Sequence, residues 1–196
     1  MDGQGFPPPL FILGSPRSFT SLVCAMVGQH HDIYGVPELN LFVADTLEEF
    51  IDTFSGYRQI QQHGLLRTVA QLYAGEQNII TVDMARRWMM RRRNWEVADV
   101  YKDICQKVSP LRIADKSPVY GGSIETLNRI KSAFPDAFYS HLLRHPVTQG
   151  QSILNIAKGI MAVMADSIDY STDPPTVDPQ IMWYDMQNNI VEFLQD

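Results

Sequence analysis

The stretch Pro9 to Gln29, PLFILGSPRSFTSLVCAMVGQ, constrains what this chain can fold into more than any other. It opens on an apolar run, Pro9-Leu10-Phe11-Ile12-Leu13, with the length and composition of a buried parallel strand. A tight turn follows, Gly14-Ser15-Pro16-Arg17-Ser18, and then a helix with Leu22, Val23 and Met26 at helical spacing and Ser18 as its expected N-cap. A strand that passes through a small-residue turn into a helix offers an anion free backbone N–H groups and the positive end of the helix dipole. Arg17 adds a permanent fork-shaped charge, and Ser18, Thr20 and Ser21 add hydroxyls suited to phosphate oxygens. The stretch reads as a phosphate loop; the plainer alternative is an ordinary first strand-to-helix turn with Arg17 solvated.

The loop is not a Walker A motif. That motif needs G-x-x-x-x-G-K-[ST], and the positions after Gly14 hold neither the second Gly nor the Lys. Without that Lys, and without an evident Mg²⁺-binding acid, ordinary ATP or GTP hydrolysis is disfavoured.

With 196 residues, 45% of them hydrophobic, the chain can bury one sizeable core, and a single domain over residues 1–196 is expected. A formal charge of −6 argues against a general nucleic-acid binder. Two cysteines far apart, Cys24 and Cys105, suit a reducing cytoplasm better than a disulfide scaffold. The opening MDGQGFPPP lacks the basic and apolar regions of a signal peptide, and no apolar run approaches a membrane span. A cytoplasmic protein is the expectation.

Beyond the loop, Ile33-Tyr34 reads as a second short strand with Val36-Pro37-Glu38 at its carboxyl end, ahead of a helical pattern from about Leu39. Ligands of open α/β sheets bind at such ends, so Glu38 is expected near the phosphate loop as a general base toward a hydroxyl; a carboxylate serving a helix dipole is the alternative. The pair His30-His31 lacks metal-ligand spacing, and no metal site is expected. Residues 45–108 read as a helical insertion, with Thr46 a cap, Gly56 a break and Gly75 a stop. Its third helix carries Arg86, Arg87, Arg91, Arg92 and Arg93, either a solvated face or a docking surface for an acidic partner. The α/β pattern resumes with a strand through Leu111, Ile113 and Ala114 ending at Lys116-Ser117-Pro118, a helix from Gly122-Ser123, and a strand from Ala137 that delivers Arg144. His145-Pro146 then starts a helix holding Ser152, and 167–179 reads as a polar, Pro-rich loop between helices.

Taken together, Gly14-Ser15-Pro16-Arg17-Ser18-x-Thr20-Ser21, Val36-Pro37-Glu38, Asp115-Lys116-Ser117-Pro118 and Leu143-Arg144-His145-Pro146 with Ser152 beyond resemble the sulfotransferases that use 3′-phosphoadenosine 5′-phosphosulfate (PAPS). The resemblance runs from about residue 8 to the end of the chain. It implies a three-layer α/β, P-loop-like domain with a short parallel sheet, helices on both faces and the helical insertion. It also implies that Ser15, Pro16, Arg17, Ser18, Phe19, Thr20 and Ser21 hold the 5′-phosphosulfate, and that Arg144 and Ser152 hold the 3′-phosphate. Arg17, Glu38 and Lys116 then become the catalytic candidates, with no metal required. More narrowly, Pro37-Glu38-Leu39-Asn40-Leu41 and Trp183 with Asn189 to Leu194 are similar to sulfotransferase domains of cyanobacterial polyketide synthases, which act on an acyl chain held by an acyl carrier protein.

Two departures bear on activity. Phe19 stands where the family usually has Gly, and a backbone needing positive φ there would be strained. The chain also ends at Asp196 without the C-terminal portion that relatives carry. The expected function is sulfuryl transfer from PAPS to a hydroxyl of a small molecule or a carrier-bound acyl chain. The rivals are a kinase-like nucleotide-binding enzyme and a catalytically inactive nucleotide-binding module.

Overall fold

The computed structural model describes residues 5–156, 160–164 and 166–195. Four strands, β1 (Leu10–Leu13), β2 (Ile33–Val36), β3 (Arg112–Asp115) and β4 (Phe138–His141), form one sheet in the order β2-β3-β1-β4. Every pairing in it is parallel, with Leu10 beside both Ala114 and Phe138, and Tyr34 beside Ile113. All four carboxyl ends therefore face the same way, and β1 lies between neighbours drawn from distant parts of the chain.

The period of two along each strand divides the sheet into two faces. Phe11, Leu13, Val36 and Ile113 enter the main core, where Phe11 meets the rings of Phe42, Tyr101, Tyr120 and Phe134. Tyr101 and Ile104 come from α5 (Val97–Val108), which covers this face. On the other face Gly35 lies opposite Ala114, and α1 (Thr20–Val27) packs there. A Cβ on Gly35 would stand 3.1 Å from the Cys24 carbonyl oxygen, so the missing side chain is what lets α1 approach the sheet. Helices on both faces of a parallel sheet make the expected three-layer α/β architecture.

Between β2 and β3 the chain forms α2 (Leu47–Thr53), α3 (His63–Ala74), α4 (Ile79–Arg91) and α5. Capping boxes at Thr46 and Asn78 start α2 and α4, and Gly75, at φ 76°, ends α3. Leu65, Leu66, Val69 and Ala70 form the buried stripe of α3. The arginine-rich stretch is not one uniform face. Arg87 pairs with Asp83, Arg93 with Glu48, and Arg92 stacks on Trp88 and Trp95.

Three local expectations are corrected, and one, the break at Gly56, holds. The N-cap of α1 is Phe19 rather than Ser18, whose hydroxyl is instead engaged with Ser15. The helix expected from Leu39 is a single 3₁₀ turn, Leu41–Val43, because Asn40 adopts a left-handed conformation (φ 56°). Gly56, at φ 59°, stands in the break expected there: α2 ends at Thr53, and a 3₁₀ segment, Gly56–Gln62, then runs on into α3. The polar loop at 167–179 folds back as a small hairpin, β5 (Ile168–Asp169) with β6 (Thr176–Val177). The remaining helices are α6 (Ile124–Ala133), α7 (Pro146–Leu154), α8 (Ile160–Met164) and α9 (Pro179–Gln195). No described helix is long and apolar enough to cross a membrane.

Candidate active site

The turn after β1 is held from three directions. A Cβ on Gly14 would meet the Leu142 carbonyl oxygen at 2.8 Å, so glycine allows the β1 and β4 loops to touch. Ser15 is fully buried, its hydroxyl 3.0 Å from that of Ser18 and accepting an N–H from Gln187 of α9 at 3.3 Å. Gln187 also bonds His141 at the end of β4, and Gln149 of α7 donates to the Pro16 carbonyl at 2.8 Å. Within the turn, Arg17 (φ 66°) and Phe19 (φ 61°) are both left-handed. Single left-handed residues among ordinary ones make successive N–H groups converge on a concavity that suits an anion. The first turn of α1 has no acidic residue and no side-chain cap, so its N–H groups and dipole are not neutralised locally.

The sequence-predicted anion ligands meet here. Arg17 Nε donates to Ser152 Oγ at 3.0 Å, and Arg144 Nη1 donates to the Arg17 carbonyl oxygen at 2.7 Å. Arg144 also reaches Thr148 Oγ1 at 3.3 Å, and its own carbonyl oxygen accepts the Trp183 indole N–H at 3.0 Å. Ser21 is exposed and Thr20 buried, while Ser15 and Ser18 are turned toward each other. Four of the predicted hydroxyls therefore have three different environments.

On the other side of β1, the loops after β2 and β3 form a second cluster. Lys116 Nζ donates to Glu38 Oε1, with the lysine side chain 8% exposed and the glutamate 39%. Both residues leave strand ends tied together by Asp115, which is fully buried. Its two oxygens accept hydroxyl bonds from Ser117 (2.8 Å) and Tyr120 (2.9 Å). Those same hydroxyl oxygens accept the backbone N–H groups of Asn40 and Leu41. Burial pushes the Asp115 carboxyl up to about 6, a rise that the Ser117 and Tyr120 hydrogen bonds, the Leu39 backbone and the Lys116 charge hold in check. Gly64, near the start of α3, packs on the backbone of Glu38.

A cleft of about 340 Å³ between α1 and the carboxyl end of β2 is lined by Ser21, Cys24, Gly35, Pro37 and Lys116 among others; it includes Lys116 of the second cluster and neither arginine of the first. A larger cavity, about 420 Å³, lies at the amino ends of β1 and β4, walled by Phe6 to Pro9, Pro110 and Phe134 to Ala137. It is remote from every predicted ligand, so chemistry rather than size identifies the site. His30, His31 and Asp32, for which no metal spacing was expected, bring ligand atoms within 4.8 Å of one another in an exposed turn ahead of β2. That turn is at the opposite end of the sheet from the loops described here.

The sequence reading missed the supports. Gln149, Gln187, Tyr120 and Gly64 hold the loops yet belong to no motif, and Asn40 and Trp183 carry the resemblance without the supporting role seen here. The available signal was in α9, where Met182, Met186, Ile190 and Phe193 mark a buried stripe that includes the polar Gln187.

Comparison with solved structures places the whole arrangement in a known fold. A sulfotransferase domain from the curacin biosynthetic pathway superposes with a TM-score of 0.76, at 24% identity, over 97% of this chain. The sulfotransferase domain of the Synechococcus PCC 7002 olefin synthase gives the same TM-score and identity over 98% of it. The chain spans 63% of the length of each. No curated protein sequence matches it significantly. A family model described as the sulfotransferase family matches residues 8–196, nearly every residue from β1 to α9, and the chain belongs to that family.

Proposed function

We propose that this chain transfers a sulfuryl group from PAPS to a hydroxyl of a small molecule or a carrier-bound acyl chain. The observation that carries the reading is the placement of a cationic cluster and a lysine–glutamate pair at adjacent carboxyl ends of one parallel sheet. Arg17, Arg144 and Ser152 lie together beyond β1 and β4, and Glu38 with Lys116 lies beyond β2 and β3. A donor with phosphates at both ends of its nucleoside needs the first cluster, and an acceptor hydroxyl needs a base such as that in the second.

In this reading the uncapped start of α1 and Arg17 hold the 5′-phosphosulfate, while Arg144 and Ser152 hold the 3′-phosphate. Glu38 takes the proton of the acceptor hydroxyl as its oxygen bonds to sulfur. The bond from sulfur to the bridging oxygen breaks, and the electron pair stays on the 5′-phosphate. Arg17, and Lys116 once parted from Glu38, stabilise the charge that gathers there. The likeness to sulfotransferase domains of the curacin biosynthetic pathway and of an olefin synthase supports an acyl acceptor on a carrier protein. Two free, buried cysteines support a reducing, cytoplasmic setting.

Calorimetric titration with adenosine 3′,5′-bisphosphate, against ATP with Mg²⁺, tests the donor half. Preference for the bisphosphate is expected, and binding of ATP alone would promote the kinase-like rival. Transfer of labelled sulfuryl to a β-hydroxyacyl carrier tests the acceptor half. Bisphosphate binding with no transfer to any hydroxyl would favour an inactive module, the reading that the strained Phe19 turn supports.

A further inference from the structure

Phe19 combines three features that a loop residue seldom shares. It occupies the left-handed region at φ 61°, which is unfavourable for a residue with a Cβ. Its ring is 58% exposed, so burial does not repay that cost. The Arg144 guanidinium lies over the ring, 4.5 Å from its centroid. Strained residues persist where the surroundings over-determine them, and they concentrate at ligand sites.

Arg144 is held on three sides. Its Nη1 is directed to the Arg17 carbonyl, its Nε to Thr148, and one face of its plane to Phe19. Of the five N–H donors of a guanidinium, two are engaged and three have no partner among the described residues. A long side chain that would otherwise sample many rotamers thus stands fixed with donors to spare.

We propose that Phe19 is a positioning residue that clamps Arg144 ready for the 3′-phosphate of the donor, making recognition of that phosphate depend on the aromatic ring. The inference rests on the donor reading given under Proposed function. It explains why a ring can occupy a position whose backbone suits glycine. The left-handed turn orients the anion loop, and the side chain it tolerates presets the second anion ligand. A cation over an exposed ring gains a modest but specific attraction, and a branched aliphatic side chain of similar bulk lacks it.

The test compares affinities for adenosine 3′,5′-bisphosphate and adenosine 5′-monophosphate in the full chain and in Phe19→Leu. Leucine keeps the bulk and the backbone requirement and removes only the ring. The expected result is a fall of about two- to fivefold in the preference for the bisphosphate, from the strength of an exposed cation–π contact. In an Arg144→Ala background the same substitution should leave that preference where it stands. An equal loss for both ligands, an unchanged preference in Phe19→Leu, or a further fall in the Arg144→Ala background would each overturn the clamp. If the parent chain does not distinguish the two ligands, the donor reading fails first and the clamp with it.

Discussion

Gly64→Ala tests whether the helical segment before β3 controls the position of Glu38. The added methyl would land on the Glu38 carbonyl oxygen, 2.6 Å from its carbonyl carbon and 3.2 Å from its nitrogen. The oxygen is the tightest of these contacts, so the start of α3 and the Glu38 backbone must separate by well over 1 Å to reach ordinary packing distance, about 3.5 Å. Two effects compete. Alanine inside a helix is favoured over glycine by about 1 kcal/mol, whereas overpacking against backbone costs about 1–3 kcal/mol. Backbone cannot swing aside as a side-chain end can, so the overpacking should win and urea unfolding should show a net loss of up to about 2 kcal/mol. Turnover should fall much further, about a hundredfold, since a 1 Å misplacement of a reacting group costs that much. Adenosine 3′,5′-bisphosphate affinity should hold, because that cluster lies across β1. Gly121→Ala is the control. Its methyl meets the flexible end of Ile190, 2.9 Å from Cδ1, and a small stability change with normal turnover is expected. A Gly64→Ala protein that is more stable and turns over normally would refute the reasoning.

Three other outcomes follow from the same geometry. Arg144→Ala should weaken adenosine 3′,5′-bisphosphate binding by about 1.5–3 kcal/mol, the range for a charge-assisted contact, and unchanged calorimetric affinity would remove Arg144 from the site. Glu38→Gln should reduce turnover far more than nucleotide affinity; equal losses in steady-state kinetics and in binding would assign Glu38 a structural role instead. Asp115 sets a pH dependence of stability. Its folded value, about 6, lies above the usual 3.8, so its stabilising contribution is complete below pH ~4 and is lost as pH rises through about 6. At 1.36 kcal/mol per pH unit that loss approaches roughly 3 kcal/mol, and unfolding of Asp115→Asn should lack it. Parallel pH profiles for the two proteins would show that Asp115 does not titrate in this window.

The strand ends were legible because each one carries its own signal. A run short enough for a parallel strand precedes every candidate: Leu10–Leu13 before the phosphate loop, Ile33–Val36 before Glu38, Ile113-Ala114 before Lys116, and Phe138–His141, aromatic in its first two positions, before Arg144. Once strands are parallel, their carboxyl ends share one edge, so residues far apart in the chain converge without any knowledge of packing. The warning at Phe19 was readable too, since only the identity of the residue was needed to ask what a positive φ would mean there.

What sequence could not convey is which polar groups pair across the fold. Asp115 was seen as part of a motif, yet its hold on Ser117 and Tyr120, and through them on Asn40 and Leu41, depends on two loops meeting over a buried carboxylate. Ser18 has the chemistry of an N-cap, but Ser15 lies within reach and Phe19 takes the N-cap position instead. Gly64 carries no signal within its own segment, and its need arises only because Glu38 passes beneath it. Local chemistry and strand period are properties of short segments, and this sequence by itself determined the α/β frame and the order of its ligand-bearing loops. Hydrogen-bond partners and close approaches depend on distances between segments, and the tertiary structure alone decided how those loops are held and that Arg144 rests on Phe19.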